Sequence, residues 1–318
     1  MKPSEKNFCG GNYQDWLEVN LTSKCNGICS WCIERNGYHP KVKVEWIELC
    51  NVILEQKHIK NVILLGGEPT LRKDIGYIIR YLNEKGINVY LTTNGSKLSI
   101  EYSIRNNLMY LKGINISIHH YHFSKNKEIT GIGLNRSNIL STIGFLQRNG
   151  VKVRLNCNTI KDYIDSKKEV RDYLFCASLM GVDEVRFAEL KSDKVGFVNL
   201  AEIFDIKCDP FTEGCNHTIN LEDFPDIKIS VRLLCGMQTD QRPRPDNPEQ
   251  ILKKVLYYDG IMYDGWRTLI GDKKAMTDKK LIKILEKVEN RSISLIEAAL
   301  LIDKSYHESE TKNPVQRA

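Results

Sequence analysis

A chain of 318 residues has room for one large domain with an appendage, or for two domains of ordinary size. With 42% hydrophobic and 27% charged residues it has the composition of a folded globular protein, and no apolar run approaches the ~20 residues of a membrane span. The net charge of +6 and pI near 8.7 suit an anionic ligand, but Lys and Arg are scattered with no dense basic block, so neither a membrane nor nucleic acid is an expected partner.

In chain order, Met1 to Asn7 lacks the apolar core of a signal peptide, and ten cysteines without an export signal argue for metal binding and reduced thiols. A cytoplasmic location is therefore expected. Trp16 to Leu21 alternates as a strand does, and the loop leaving it carries Cys25, Cys29 and Cys32. Val44 to Gln56 reads as a helix, Asn61 to Leu65 as a buried strand, and Leu71 to Lys85 as a helix closed by Gly86. The alternation continues: strand Ile87 to Leu91, helix Leu98 to Leu108, strand Gly113 to Ile118, helix Ser137 to Asn149. Strand Val151 to Cys157, helix Asp165 to Met180 and strand Glu184 to Ala188 complete it. Six strand-helix units imply a parallel sheet wound in right-handed crossovers, an α/β fold over residues 1–190.

After about Lys191 the alternation stops. Lys228 to Leu234 reads as a strand, and Val255 to Tyr263 as a hairpin around Asp259-Gly260. Between them, Gln241 to Pro248 holds three prolines and cannot be regular. Residues 191–275 are expected to form a smaller α+β domain, and 276–318 a helical segment over Lys279 to Val288 and Ser294 to Lys304.

Three thiols in eight residues, held in a loop at a strand end, suit iron–sulfur or zinc coordination but are one ligand short of a closed structural site. Taken alone they also read as a fragment of a zinc site or as buried small hydrophobes. A second motif, Gly66-Gly67-Glu68-Pro69-Thr70, follows the second strand. Cys-x3-Cys-x2-Cys after the first strand and Gly-Gly-Glu-Pro after the second resemble the radical S-adenosylmethionine (radical SAM) superfamily, over roughly residues 15–190.

The resemblance implies a (β/α)6 partial TIM barrel and a [4Fe–4S] cluster on Cys25, Cys29 and Cys32 whose fourth iron takes the amine and carboxylate of S-adenosylmethionine. One electron then cleaves the cofactor, and the 5′-deoxyadenosyl radical abstracts a substrate hydrogen. The implied partners are a flavodoxin- or ferredoxin-type electron donor and a substrate. A peptide, such as a ribosomally made one, is the first expectation; the alternatives are a small cofactor, nucleotide or sugar-derived metabolite, or a non-catalytic iron–sulfur or zinc sensor.

Several residues are expected at the site. Gly66 and Gly67 allow close backbone approach to the methionyl ammonium, Glu68 can accept from it and Pro69 fixes the turn. Trp31 matches the position where the superfamily has an aromatic residue near the adenine, and otherwise reads as a hydrophobic anchor. Thr93, Asn94 and Ser117 end strands three and four, where they can bind ribose or carboxylate, or cap turns. Alternation puts Arg154, Asn156 and Asn158 on one face, and burial cost sends Arg154 and Arg186 into a polar lumen, with Glu68 or Glu189 as candidate partners. His119 leads a cluster of three histidines in four residues, and Glu189 ends the sixth strand. Cys157 is a candidate hydrogen-atom donor. Cys208, Cys215 and Cys235 are loosely similar in layout to the auxiliary-cluster domains of the superfamily, although the spacings are longer, so a second cluster and three ordinary buried thiols both stand.

Overall fold

A computed structural model describes residues 15–98, 102–190, 195–207, 216–233 and 254–266. The chain divides into two compact units, one of residues 1–35 with 39–266, the other of 36–38 with 267–318; the described barrel belongs to the first. The segments expected as helices at 279–288 and 294–304 and the proline-rich stretch at 241–248 lie outside the described residues.

The strand-helix units run β1 (Trp16–Asn20), α1 (Trp46–Glu55), β2 (Asn61–Leu65), α2 (Ile75–Glu84), β3 (Asn88–Thr93), α3 (Tyr102–Leu108) and β4 (Gly113–Ser117). They continue with α4 (Phe123–Thr130), α5 (Arg136–Arg148), β5 (Lys152–Asn158), α6 (Lys167–Met180) and β6 (Glu184–Ala188). Then come α7 (Leu200–Ile203), β7 (Asn216–Ile219), β8 (Lys228–Arg232), β9 (Lys254–Tyr257) and β10 (Met262–Asp264). The order across the sheet is β10-β9-β1-β2-β3-β4-β5-β6-β8-β7. β1 to β6 pair in parallel in sequence, as the periodicity predicts. β9 lies parallel beside β1 and β8 parallel beside β6, and the antiparallel β10 and β7 finish the edges. The expected partial barrel is present, and the segment after residue 191 extends its sheet on both sides.

The two faces of the sheet differ. Val153, Leu155 and Cys157 on β5, and Val185 and Phe187 on β6, are fully buried against the helices, in one continuous core with Ile53, Ile79, Leu82 and Leu174. The alternate residues, Arg154, Asn156, Asn158, Glu184 and Arg186, are half-buried. A parallel sheet normally reads apolar on both faces, so a polar second face marks a lumen built to be wet or filled by a ligand.

Local chemistry explains where boundaries differ from the periodicity. The helix expected from Leu71 starts only at Ile75, because Glu68 caps a short 3-10 turn at Pro69–Leu71 and Arg72 folds back onto Asp74. α4 has no counterpart in the sequence reading: only Asn126 and Thr130 of its eight residues are buried, leaving no apolar stripe to detect.

Candidate active site at the mouth of the barrel

The loop carrying Cys25, Cys29 and Cys32 is held from three sides. At its neck, the fully buried Asn20 at the end of β1 donates from Nδ2 to both carboxyl oxygens of Glu34 at 3.1 Å, while its Oδ1 accepts from Thr22 N–H. On the β2 side, Gly67 N–H donates to the Thr22 carbonyl at 2.6 Å and Glu68 N–H to the Lys24 carbonyl at 2.8 Å. Gly66 has φ +132°, and a Cβ there would lie 2.6 Å from Asn20 Oδ1 and the Thr22 carbonyl, so only glycine fits. On the far side, Ile28 N–H donates to the Thr130 carbonyl at the C-terminal end of α4, at 2.7 Å. Arg72 reinforces the neck by donating to the Leu21 carbonyl at 3.0 Å.

Glu68 ties this loop to β3. Buried, it accepts from Thr70 N–H at 3.0 Å, Thr70 Oγ1 at 2.5 Å, Thr93 Oγ1 at 2.6 Å and Asn94 N–H at 2.7 Å. Burial pushes its carboxyl upward and these donors pull it back. Asn94 passes the connection on, donating from Nδ2 to Asn26 Oδ1 at 2.8 Å. Thus Glu68, Thr93 and Asn94 hold the turn after β2 against β3, and Gly66 and Gly67 are occupied by the backbone of the thiol loop.

Cys25 is exposed and Cys29 and Cys32 are half-buried. Burial raises Cys29 to about 11, with the charges of Cys32 and Cys25 adding to the effect. Cys25 is raised by burial first, against the Gly27 N–H that donates to its Sγ at 3.2 Å. Thiols held protonated by burial, as Cys25 and Cys29 are, ionise only beside a cationic centre, and a coordinated metal deprotonates a thiol outright. Among the described residues no three His, Cys, Asp or Glu side chains are spaced for a single ion. Three thiols in one loop, of which Cys29 senses the charges of Cys32 and Cys25, are the donor type of an iron–sulfur cluster.

Trp31, between Cys29 and Cys32, meets the ring of His119 edge-to-face at 5.3 Å. His119 is buried, and burial lowers it to about 4. Across the lumen, Arg154 donates from Nε to Asn156 Oδ1 at 3.0 Å and approaches Glu184 at 3.7 Å. Arg186 reaches Ser230 Oγ at 3.4 Å, and Ser230 donates to Glu184 at 2.9 Å. Burial, with the charge of Arg186, lowers Arg154 to about 10. Ser117 sits beside Asn156 in the next row.

Placement separates the expected residues. Cys25, Cys29, Cys32, Trp31, Gly66, Gly67, Glu68, Pro69, Thr93, Asn94 and His119 gather at the C-terminal ends of β1 to β4, and Ser117, Arg154, Asn156 and Arg186 line the β4–β6 wall. The carboxylate beside Arg154 is Glu184, in place of the expected Glu68 or Glu189. Glu189 accepts from Leu200 N–H at 2.8 Å, at the start of α7. Cys157 is a correction: alternation turns it to the helix side of β5, where it is fully buried with Sγ 3.8 Å from the His119 carbonyl, away from the lumen in which a substrate radical would need its hydrogen atom. Cys208, Cys215 and Cys235 lie outside the described residues. The sequence reading missed Asn20, Glu34, Arg72 and Thr130. A polar residue closing a strand and a carboxylate two places after the last thiol were the available signals for the first two.

A parallel half-barrel with a polar lumen, carrying three thiols in the loop after its first strand, defines a class of metal-cluster enzymes that work at the mouth of the barrel. Residues 19–174 match the model of the Radical SAM superfamily. It is 32% identical over 166 residues to a GTP 3′,8-cyclase of Rhizobium leguminosarum bv. trifolii, covering 49% of this chain and 47% of that protein. A GTP 3′,8-cyclase of Clostridium perfringens is 32% identical over 209 residues, covering 62% of each. The chain spans about half the length of the first curated relatives it matches. The fold is shared with Streptococcus suis SuiB bound to S-adenosylmethionine, at TM-score 0.58 and 16% identity over 81% of this chain and 60% of that one. The superfamily's cofactors are a [4Fe–4S] cluster and S-adenosylmethionine, and the donor set of the thiol loop fits them.

Proposed function

We propose that the chain is a radical SAM enzyme acting on a small anionic molecule of the nucleotide class. Cys25, Cys29 and Cys32 would hold the cluster, and the mouth around Trp31, Asn94 and His119 would hold S-adenosylmethionine. Bound there, the pair supplies a 5′-deoxyadenosyl radical and with it hydrogen-atom abstraction. The chain's own work is to keep the loop fixed through Asn20, Glu34 and Glu68, to exclude water, and to present one C–H bond of the substrate. A flavodoxin- or ferredoxin-type donor would supply the electron.

The observation that carries the substrate class is the β5–β6 wall. Two guanidinium groups, Arg154 and Arg186, share a half-buried lumen in which burial and the charge of Arg186 lower Arg154, with Glu184 3.7 Å from Arg154. Cations crowded in this way favour an anion such as phosphate, which guanidinium binds with charge-assisted geometry. The names of the curated relatives support the same reading. A peptide, the first expectation from sequence, is named in the description of a solved structure of similar fold and 16% identity, which shows the fold alone.

The test is anaerobic turnover of iron-reconstituted protein with reductant, S-adenosylmethionine and a panel of GTP, other nucleotides and nucleosides. Faster 5′-deoxyadenosine release and consumption of a phosphorylated member support the reading. Equal response to the unphosphorylated nucleosides opposes it.

A further inference from the structure

Besides the three sides described above, the thiol loop is gripped from the segment that follows the strand-helix units. β9 lies parallel beside β1 with Tyr257 opposite Asn20, so Tyr258 comes level with the point at which the chain leaves β1 for the loop. Tyr258 is 7% exposed, and its hydroxyl lies 3.0 Å from the Pro40 carbonyl and 3.3 Å from Ser23 Oγ. A carbonyl can only accept, so the phenol proton goes to Pro40 and the Ser23 hydroxyl donates to the phenol oxygen. The main chain adds a third tie, because Val44 N–H donates to the Tyr258 carbonyl at 3.0 Å, just ahead of α1.

These contacts bracket the site. Ser23 stands shortly before Cys25 and Pro40 after Cys32, so one phenol joins the two stems of the stretch that carries all three thiols. Joining the stems of a loop removes conformations in which its side chains drift apart. The two partners lie 235 and 218 positions from Tyr258 in sequence, so no local preference of the loop supplies this closure. Packing alone does not ask for the hydroxyl either. A phenylalanine would fill the same space, whereas a buried phenol needs partners, and here Ser23 and Pro40 both belong to the stems of the loop.

We infer that Tyr258 is a positioning residue for the thiol loop: by bonding Ser23 and Pro40 it keeps Cys25, Cys29 and Cys32 at the spacing a metal cluster requires. Cluster retention thereby depends on the β9–β10 hairpin, far along the chain from the thiols. This role rests on the cluster reading of the loop proposed above and not on any choice of substrate.

Tyr258→Phe removes the hydroxyl and keeps the ring. Iron-reconstituted protein is mixed anaerobically with excess chelator, without S-adenosylmethionine or substrate, and iron release is followed by the absorbance of the chelate. Tyr258→Phe should lose iron about fivefold to tenfold faster than wild type. Ser23→Ala should speed release by less, and the double variant should be no faster than Tyr258→Phe, because the two substitutions break a shared bond. Metal-free protein gives a second reading through amide hydrogen exchange: residues 24–35 should exchange faster in Tyr258→Phe, with 16–20 and 254–257 at wild-type rates. Iron release at the wild-type rate, or effects of the two substitutions that multiply, overturns the proposal. So does exchange that quickens across β9 and β1 together with the loop, since Tyr258 would then be an anchor of the hairpin only. A wild type that takes up no iron sinks the cluster reading, and the hold of Tyr258 on the loop then stands or falls on the exchange result.

Discussion

The two sides of the barrel mouth are built on opposite principles. At the ends of β1 to β3, nearly every polar group is spent on another part of the protein: Asn20 on Glu34, Gly67 on Thr22, Glu68 on Thr70, Thr93 and Asn94. On the β5–β6 wall the polar groups are charged, half-exposed and shared among themselves. The first side is a holder, in which a generic reactive centre is fixed by a saturated network. The second is a surface that a particular substrate can complete. On the function proposed above, chemistry common to a family sits in the closed region and substrate choice in the open one.

Substitutions can sharpen that contrast. The largest effect is expected from Cys25→Ala, Cys29→Ala and Cys32→Ala together: iron bound by the thiol loop and 5′-deoxyadenosine formation should both vanish, while iron analysis counts any cluster held elsewhere. Next, Glu68→Ala leaves the Thr93 and Thr70 hydroxyls and the Asn94 N–H buried without their acceptor, and should cost at least about 3 kcal/mol in denaturant unfolding. Asn20→Ala removes the partner of a buried carboxyl and should cost about 1–3 kcal/mol and speed the loss of iron to a chelator, whereas Glu34→Gln should do much less. On the open wall, Arg154→Met should leave stability nearly unchanged, because Glu184 keeps Ser230 and Lys228, but should raise KM for a phosphorylated substrate by about tenfold. An Arg154→Met variant that unfolds readily, or an Asn20→Ala variant that holds iron as firmly as wild type, would erase the distinction between holder and surface.

A further test is a pH dependence. Folded His119 accepts a proton only near pH 4, against 6.5 when exposed, so below about 6.5 the unfolded chain binds more protons. Its contribution to stability should fall as pH drops from about 6.5 towards 4, by up to ~1.4 kcal/mol per unit. Glu34 acts with the opposite sign, since burial raises it from 4.5 to about 7 and protonation then favours the folded form as pH falls. Unfolding of wild type and His119→Gln across this range isolates the first term: the variant should lose less stability on acidification.

Much of this was readable beforehand, for a physical reason. Each of β1 to β6 pairs with its sequence neighbour, so local periodicity already contains the topology, and both motifs follow strands that the pattern locates. The parallel pairing of β9 with β1 was not readable, because Glu18 and Val255 meet across most of the chain and nothing in either strand names the other. Cys157 misled for a different reason: its place at a strand end looked functional, but one step of alternation decides between lumen and helix layer. The Asn20–Glu34 link escaped because each residue, taken singly, reads as an ordinary polar side chain.

The central claim is that the thiol loop holds an iron cluster open to S-adenosylmethionine. It is tested most directly by mixing anaerobically reconstituted protein with reductant and S-adenosylmethionine and measuring 5′-deoxyadenosine. Release that depends on reductant and disappears in the triple cysteine variant is the predicted result. No release from iron-loaded wild type, or equal release from the variant, contradicts the account.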